Sequence, residues 1–242
     1  MYDSEMYECT VPSPFLSFYG NDVIEKEIID AYRHRVRSVI VEPYQIPMLM
    51  EMHKKYGNGY TRTAMTIGYP YGGQTTETKV ELMRYAVEYG VDEVDVGIDI
   101  TAMLSGDYER CYHDLKAMVD ASEGKTIVVP VSWVIKIPLE MVDRLCNMYI
   151  DLGLKAMKTS PGLHHGDMKV EHVEYIHKHF GDKLEIEVAG RCRTREKAEQ
   201  MLAAGATCFH ISSWRRICAG EQDIQWDFET KTGGYGEYKD RL

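Results

Sequence analysis

From residue 21 onward the apolar positions Ile24, Ile28 and Tyr32 recur every four residues, which lines them along one side of a helix. Asn21, just ahead of them, stands where a helix cap is expected. Stripes of the same kind run through Val80, Met83 and Val87, through Tyr108, Cys111, Leu115 and Met118, through Val142, Leu145 and Tyr149, and through Val170, Val173 and Ile176. Between the stripes lie short apolar runs rich in β-branched residues: 37–42 (RSVIVE), 62–67 (RTAMTI), 92–97, 126–137, 154–158, 184–189 (LEIEVA) and 207–212. Their length and composition predict strands. A further strand is expected near 15–19.

Three segments share one grammar: YGVDEVDV (89–96), LGLKAMKTS (152–160) and AGATCFHISS (204–213). In each, a glycine ends an amphipathic run and stands just before an apolar stretch, as a glycine closing a helix that feeds a strand does. Strand and helix therefore alternate, which requires a parallel sheet. Eight units of about 30 residues in 242 predict an α/β fold, a closed (β/α)8 TIM barrel, as one domain over residues 1–242. The rival is an open doubly wound sheet, and no GxGxxG follows the first strand to support its dinucleotide-binding form.

Composition narrows the function classes. Hydrophobic residues make up 44% and charged residues 27%, so a core of ordinary size needs no staple. The net charge of −10 offers no basic stripe for a nucleic-acid backbone. The six cysteines, Cys9, Cys111, Cys146, Cys192, Cys208 and Cys218, show no CxxC spacing, and no leader or long apolar run for a membrane is present. The expected setting is the reducing cytoplasm.

In a barrel the active site lies at the C-terminal ends of the strands. The polar residues ending the expected strands are Thr66, Asp95, Lys136, Lys158, Glu187, Ser212 and Ser213. The histidines fall mostly on helices and loops, as His113, His172, His177 and His179 do, so neither a metal nor another cofactor is expected. A lysine beside carboxylates suits imine chemistry, in which a neutral amine attacks a carbonyl. A free lysine titrates at about 10.4, and bringing it to about 7 requires roughly 4–5 kcal/mol from desolvation or a neighbouring cation. By spacing alone, Lys158 either enters the barrel or points outward among the helices, its stem covering apolar surface.

One resemblance bears on that choice. TIGYPYGGQTTETKVELMRYAVEYGVDEVDVGIDITAMLSGDYE (66–109) resembles the deoxyribose-phosphate aldolase family in its strand, G-F-P-x-G loop, helix, D-E-[VI]-D strand and S-G-D turn. MKTSPG (157–162) is similar to that family's I-K-T-S-T-G, which carries the Schiff-base lysine. The resemblance runs from about residue 36 to residue 213. It implies a class I, metal-independent aldolase with Lys158 as nucleophile and Asp95 moving protons. It also implies a small anionic, phosphorylated carbonyl substrate and, at family level, a homo-oligomer such as a dimer.

The departures are as informative. IEVAGRCRT (186–194) resembles the family's F-K-P-A-G-G-V-R-T with Glu187 in place of a second lysine. An anion there favours the ammonium form of Lys158, so either Glu187 is itself protonated and acts as an acid, or another cation compensates. KIPLE (136–140) is similar to a fifth-strand K-V-I-I-E and makes Lys136 that candidate cation, provided it faces inward. FLSFYG (15–20) offers Ser17 where the family has an aspartate.

The family's phosphate cup is matched at Gly162, Gly190, Arg193, Thr194, Ser212 and Ser213, while Arg191 and His210 replace glycines. Arg191, Arg193 and Arg215 could grip an anion as forks. His164 and His165 form either an acid–base loop or a solvated one, and Tyr69 and Tyr71 either line the pocket or pack its rim. Three functions follow from these residues: an aldolase, an imine enzyme of another class such as a dehydratase or transaldolase-like enzyme, or a barrel that binds sugar phosphates without turnover.

Overall fold

The computed structural model describes residues 7–10, 20–162, 166–192, 194–211, 214 and 218. Ser17, His164, His165, Arg193, Ser212, Ser213 and Arg215, with the expectations placed on them, lie outside the described residues.

Eight parallel strands pair in chain order and close on themselves. They are β1 (Tyr7–Thr10), β2 (Ser38–Val41), β3 (Arg62–Ile67), β4 (Glu93–Gly97), β5 (Ile127–Val131), β6 (Ala156–Lys158), β7 (Glu185–Val188) and β8 (Cys208–Ile211). Closure runs through β1 against β8, with Cys9 opposite Ile211. The helices are α1 (Asn21–Arg33), α2 (Ile46–Tyr56), α3 (Thr76–Tyr89), α4 (Ile100–Leu104), α5 (Tyr108–Ala121), α6 (Leu139–Asp151), α7 (Val170–Phe180) and α8 (Arg195–Ala203). The TIM barrel expected from the alternation is therefore present.

The first described strand is Tyr7–Thr10, and the expected 15–19 segment lies outside the described residues. Two boundaries differ from expectation. The cap position of α1 is Gly20, and Asn21 is already the first helical residue. β5 stops at Val131 instead of running to 137, because the chain turns into a 3-10 segment at Val134–Lys136, where the Lys136 N–H donates to the Trp133 carbonyl at 2.8 Å. Pro138 then takes the cap position of α6.

The helix stripes are buried as their spacing requires: Ile24, Ile28 and Tyr32 on α1, Cys111, Leu115 and Met118 on α5, and Val142, Leu145 and Tyr149 on α6. They meet alternate residues of the strands, including Val39 and Val41, Met65 and Ile67, Val94 and Val96, and Ile186 and Val188. Each such side chain contributes about 1.5–3 kcal/mol by leaving water. The strands have period two, so the intervening residues face the barrel interior. Several of those are charged.

Behind β4 the loops are packed without slack. A Cβ on Gly72 would stand 2.3 Å from the Ile98 carbonyl carbon, and one on Gly97 2.5 Å from the Gly68 carbonyl oxygen, so neither position accepts a larger residue. Lys79 of α3 is fully buried there, donating to Asp114 Oδ2 at 2.6 Å and to the Gly97 carbonyl at 3.3 Å. It ties α3, α5 and the end of β4 into one block. Removing one member of a buried ion pair strands the other charge. Lys79→Met is expected to lower stability by about 3–5 kcal/mol in a denaturant titration; a loss below 1 kcal/mol would show that the block does not depend on this pair.

Candidate active site

Period two on β4 places Glu93 and Asp95 on the inner face, and on β7 it does the same for Glu185 and Glu187. Register carries the rest: Lys158 is paired with Glu187 on the neighbouring strand, and Asp95 with Thr66 on the other side. Paired residues on one face of a sheet stand about 5 Å apart. The backbone around Lys158 is clamped from both sides, its carbonyl accepting from Ser132 at 2.8 Å and the next N–H, that of Thr159, donating to the Glu187 carbonyl at 3.0 Å.

The Lys158 amine points into the barrel, and the outward reading is excluded. It donates to both Asp95 oxygens, at 2.8 and 2.7 Å, and lies 3.3 Å from Glu187 Oε2. Lys158, Asp95 and Glu187 are 1%, 2% and 0% exposed, so their attraction is not screened by solvent. Two carboxylates on one amine favour the ammonium form.

Below them sits a further layer of charge. Arg37, at the entry to β2, reaches Glu185 Oε2 at 2.8 Å and Glu187 Oε1 at 3.5 Å. Arg62 reaches Glu93 Oε2 at 3.1 Å. Arg37 is therefore a cation that Glu187 meets directly. Lys136, the cation expected from the sequence, is instead exposed, on the 3-10 segment five residues past the end of β5. The turn at Trp133 takes it off the strand, so it has no inward strand position.

The mouth of the site is formed by loops after β2, β3 and β6. Glu42, just past β2, accepts from Thr66 Oγ1 at 3.3 Å. Burial pushes its carboxyl above the usual range, with the Thr66 hydrogen bond opposing the shift. Tyr69 crosses from the β3 loop and donates its hydroxyl to the Pro161 carbonyl, three residues after Lys158. Burial raises this phenol well above its ordinary value; the charges of Glu42 and Asp95 add to the rise and Lys158 opposes it. Tyr69 therefore belongs to the pocket wall. Tyr71 is half exposed and stacks on Trp133, with ring centroids 5.4 Å apart and planes 7° from parallel, which places it at the rim.

The anion-binding expectations fall on the loops after β6 and β7. Gly190 (φ 102°) and Arg191 (φ 56°) form a left-handed turn, and a Cβ on Gly190 would be 3.5 Å from the Ser160 side chain. The Arg191 guanidinium reaches Asp167 Oδ1 at 3.5 Å, while its Nε is buried with no hydrogen-bond partner among the described residues. The Gly162 N–H donates to Ser160 Oγ at 3.1 Å. Thr194 caps α8, accepting from the Lys197 N–H at 3.2 Å. His210, which stands where the family's cup has a glycine, lies with Nδ1 3.7 Å from Asp95 Oδ2.

Comparison with known proteins bears on the family and the fold. No family model matches the chain. Over 200 residues, 81% of this chain and 86% of the relative, it is 32% identical to a deoxyribose-phosphate aldolase of Carboxydothermus hydrogenoformans. Over 192 residues, 78% and 86% of the two chains, it is 31% identical to a deoxyribose-phosphate aldolase of Caldicellulosiruptor saccharolyticus.

The chain belongs to the deoxyribose-phosphate aldolase family.

Its fold agrees. It superposes with a TM-score of 0.81 on QR15, an aldolase 23% identical, covering 90% of this chain and 96% of that one. On a deoxyribose phosphate aldolase of Aeropyrum pernix, described as having a unique tetrameric structure, the TM-score is 0.80 at 17% identity, covering 89% of each chain. Against this family background, the residues missed by sequence reasoning are Arg37, Arg62, Glu93 and Glu42. Arg62 and Glu93 were legible as period-two partners of the inward residues Thr66 and Asp95, whereas Arg37 shares the parity of the helix-facing Val39 and Val41 and carried no such signal. Glu42 ends the RSVIVE run, and so met the criterion that selected Lys158.

Glu42 yields a pH-dependent expectation. Its folded titration lies above its unfolded one, so the folded protein holds the extra proton between the two values and loses stability as pH rises through that window. Glu42→Gln removes the penalty. Its melting temperature relative to the parent is expected to be higher at pH 7 than at pH 4; an equal difference at both pH values would contradict the shift.

Proposed function

We propose that this chain is a class I aldolase that breaks or forms a carbon–carbon bond in a small phosphorylated sugar through an imine on Lys158. The observation that carries the reading is the Lys158 amine, held inside the barrel with both Asp95 oxygens within 2.8 Å. The neutral amine forms a C–N bond to the carbonyl carbon while the carbonyl electron pair moves to oxygen and takes a proton. Water leaves, and the iminium then draws in the electron pair of the adjacent carbon–carbon bond. Asp95 is placed to hold and return the protons.

Glu187 and Arg37 belong to this chemistry as a charge pair. Where a second lysine would repel the ammonium, Glu187 attracts it, and Arg37 draws on the same carboxylate from the other side. Lys136 has no part in this arrangement. Anion recognition rests on Gly162, Gly190 and Arg191, whose buried Nε faces no protein acceptor among the described residues. Arg193, Ser212 and Ser213 extend the proposed cup in sequence. The name of the relatives makes a deoxyribose phosphate the first substrate to try.

Assembly as a homo-oligomer, with the dimer as the simplest case, belongs to the same proposal. So does a cytoplasmic setting, which accords with the buried, unbridged thiols Cys111, Cys146 and Cys192. Among the described residues, no helix is long and apolar enough to cross a membrane.

A second reading is favoured by Glu187 itself. A carboxylate beside the imine could direct it to dehydratase or transaldolase-like chemistry, which would appear as an adduct without cleavage of deoxyribose 5-phosphate.

Borohydride reduction with acetaldehyde is expected to add a two-carbon mass to Lys158 and nothing to Lys158→Met. Peptide mapping that finds no adduct there with acetaldehyde, dihydroxyacetone phosphate or deoxyribose 5-phosphate would reject the imine. Glu187→Gln removes one of the anions favouring the ammonium, so its adduct is expected to form about tenfold faster at neutral pH. A rate unchanged or reduced would show that Glu187 acts as a proton donor.

A further inference from the structure

The inner wall carries a row of alternating charge. Arg37 lies 3.5 Å from Glu187, Glu187 3.3 Å from Lys158, Lys158 2.7 Å from Asp95 Oδ2, and that same oxygen 3.7 Å from His210 Nδ1. Five strands or strand entries supply it, and its two ends differ in kind. Arg37 keeps its charge at any working pH. His210 is of the side-chain type that exchanges a proton near neutrality.

We propose that His210 is the proton acceptor that releases Lys158 for attack, acting through Asp95 and taking over a task for which this chain has no second lysine at position 187; the proposal rests on the aldolase reading. The need follows from the charges. The resting amine is an ammonium between two carboxylates, and a proton leaving it reaches Asp95 first. A carboxylate of ordinary acidity, near 3.9, cannot retain that proton at neutral pH, so a stronger base must take it onward. His210 Nδ1 stands 3.7 Å from the same Asp95 oxygen, a gap that one bridging water spans, and its side chain is 12% exposed where those of Lys158 and Asp95 are 1% and 2%. It therefore links the dry amine to solvent.

The proton account balances. Lys158 in its ammonium form gives one proton to Asp95, Asp95 gives one to the neutral imidazole, and the freed nitrogen pair forms the C–N bond. On water loss and hydrolysis the path runs in reverse.

The charged positions around His210 come from several strands. From β4 comes Asp95; from β6, Lys158, on the far side of Asp95; from β7, Glu187, in register with Cys208 two residues before His210. On β1 the position in register with His210 is Glu8. Substitutions of His210 act through Asp95, so it is a positioning and relay residue, and a purely packing role would leave the pH profile unchanged.

Two measurements test it. The first is the rate of cyanoborohydride trapping with acetaldehyde from pH 5.5 to 8.5, in the parent and in His210→Gln. The parent rate is expected to rise through an inflection within that range, and the variant to lose the inflection and about 10²-fold in rate at pH 7. Profiles of the same shape overturn the proposal. The second is the NMR titration of the His210 ring in the parent and in Asp95→Asn, which needs no turnover. Its midpoint is expected to fall when the anion is removed, and an unmoved midpoint overturns the link between the two residues. Absence of trapping in the parent would sink the imine reading itself, while the NMR result would still decide whether Asp95 and His210 are coupled.

Discussion

The structure turns on a cationic amine kept dry. Lys158 is held away from water in the barrel, and a buried ammonium is tolerable only where carboxylates meet it at hydrogen-bonding distance. Asp95 does so with both oxygens and Glu187 adds a third contact. Closure of the barrel makes this arrangement possible, because the groups come from β4, β6 and β7 and meet only when the sheet curls on itself. Short strands serve it as well. β6 is three residues long, and its last residue is the lysine, so the amine is fixed by ladder bonds on both sides and not by a mobile loop.

The same pairing that stabilises the fold opposes the chemistry assigned to it. An amine between carboxylates prefers to stay protonated, and a nucleophile must not. Where a second cation would ease proton loss by repulsion, this chain has an anion whose own charge is shared with Arg37. The lower barrel, with Arg37 against Glu185 and Glu187 and Arg62 against Glu93, is thus a charge-neutralising floor under the Lys158 amine. In the proposed imine chemistry, activation comes from where the proton can go and not from what repels it. Pre-positioned partners do this without reorganisation at the moment of reaction.

The loops express the same division of labour. The segment after β3 is packed so closely on the end of β4 that Gly72 and Gly97 leave no room for a side chain, and Lys79 bolts that block to α3 and α5. A rigid block behind Asp95 keeps the carboxylate aimed at the amine. Tyr69 bridges from this block to Pro161 on the far side of Lys158, so the mouth is braced across its width. The turn at Gly190 and Arg191 stands apart from this brace, on the loop where an anionic group would be held.

What the sequence by itself determined is what repeats locally or sits within a contiguous motif. The eight alternating units, the glycine that closes each of three helices, and the GYPYG, DEVDV and MKTSPG segments were legible because turn chemistry, helical period and strand length act over a few residues. Lys158, Asp95 and Glu187 were found that way. Tertiary structure alone decided which charges meet. Arg37 and Glu187 are far apart in the chain, on strands that do not pair, and meet only because the barrel closes. His210 reads in sequence only as the replacement of a cup glycine, and the pleat turns it toward Asp95. Lys136 looked like an inward cation until the turn at Trp133 carried it off the strand. The physical reason is common to all three: a side chain's direction in a closed sheet depends on register and on where each strand ends, and those are set by pairing with distant segments.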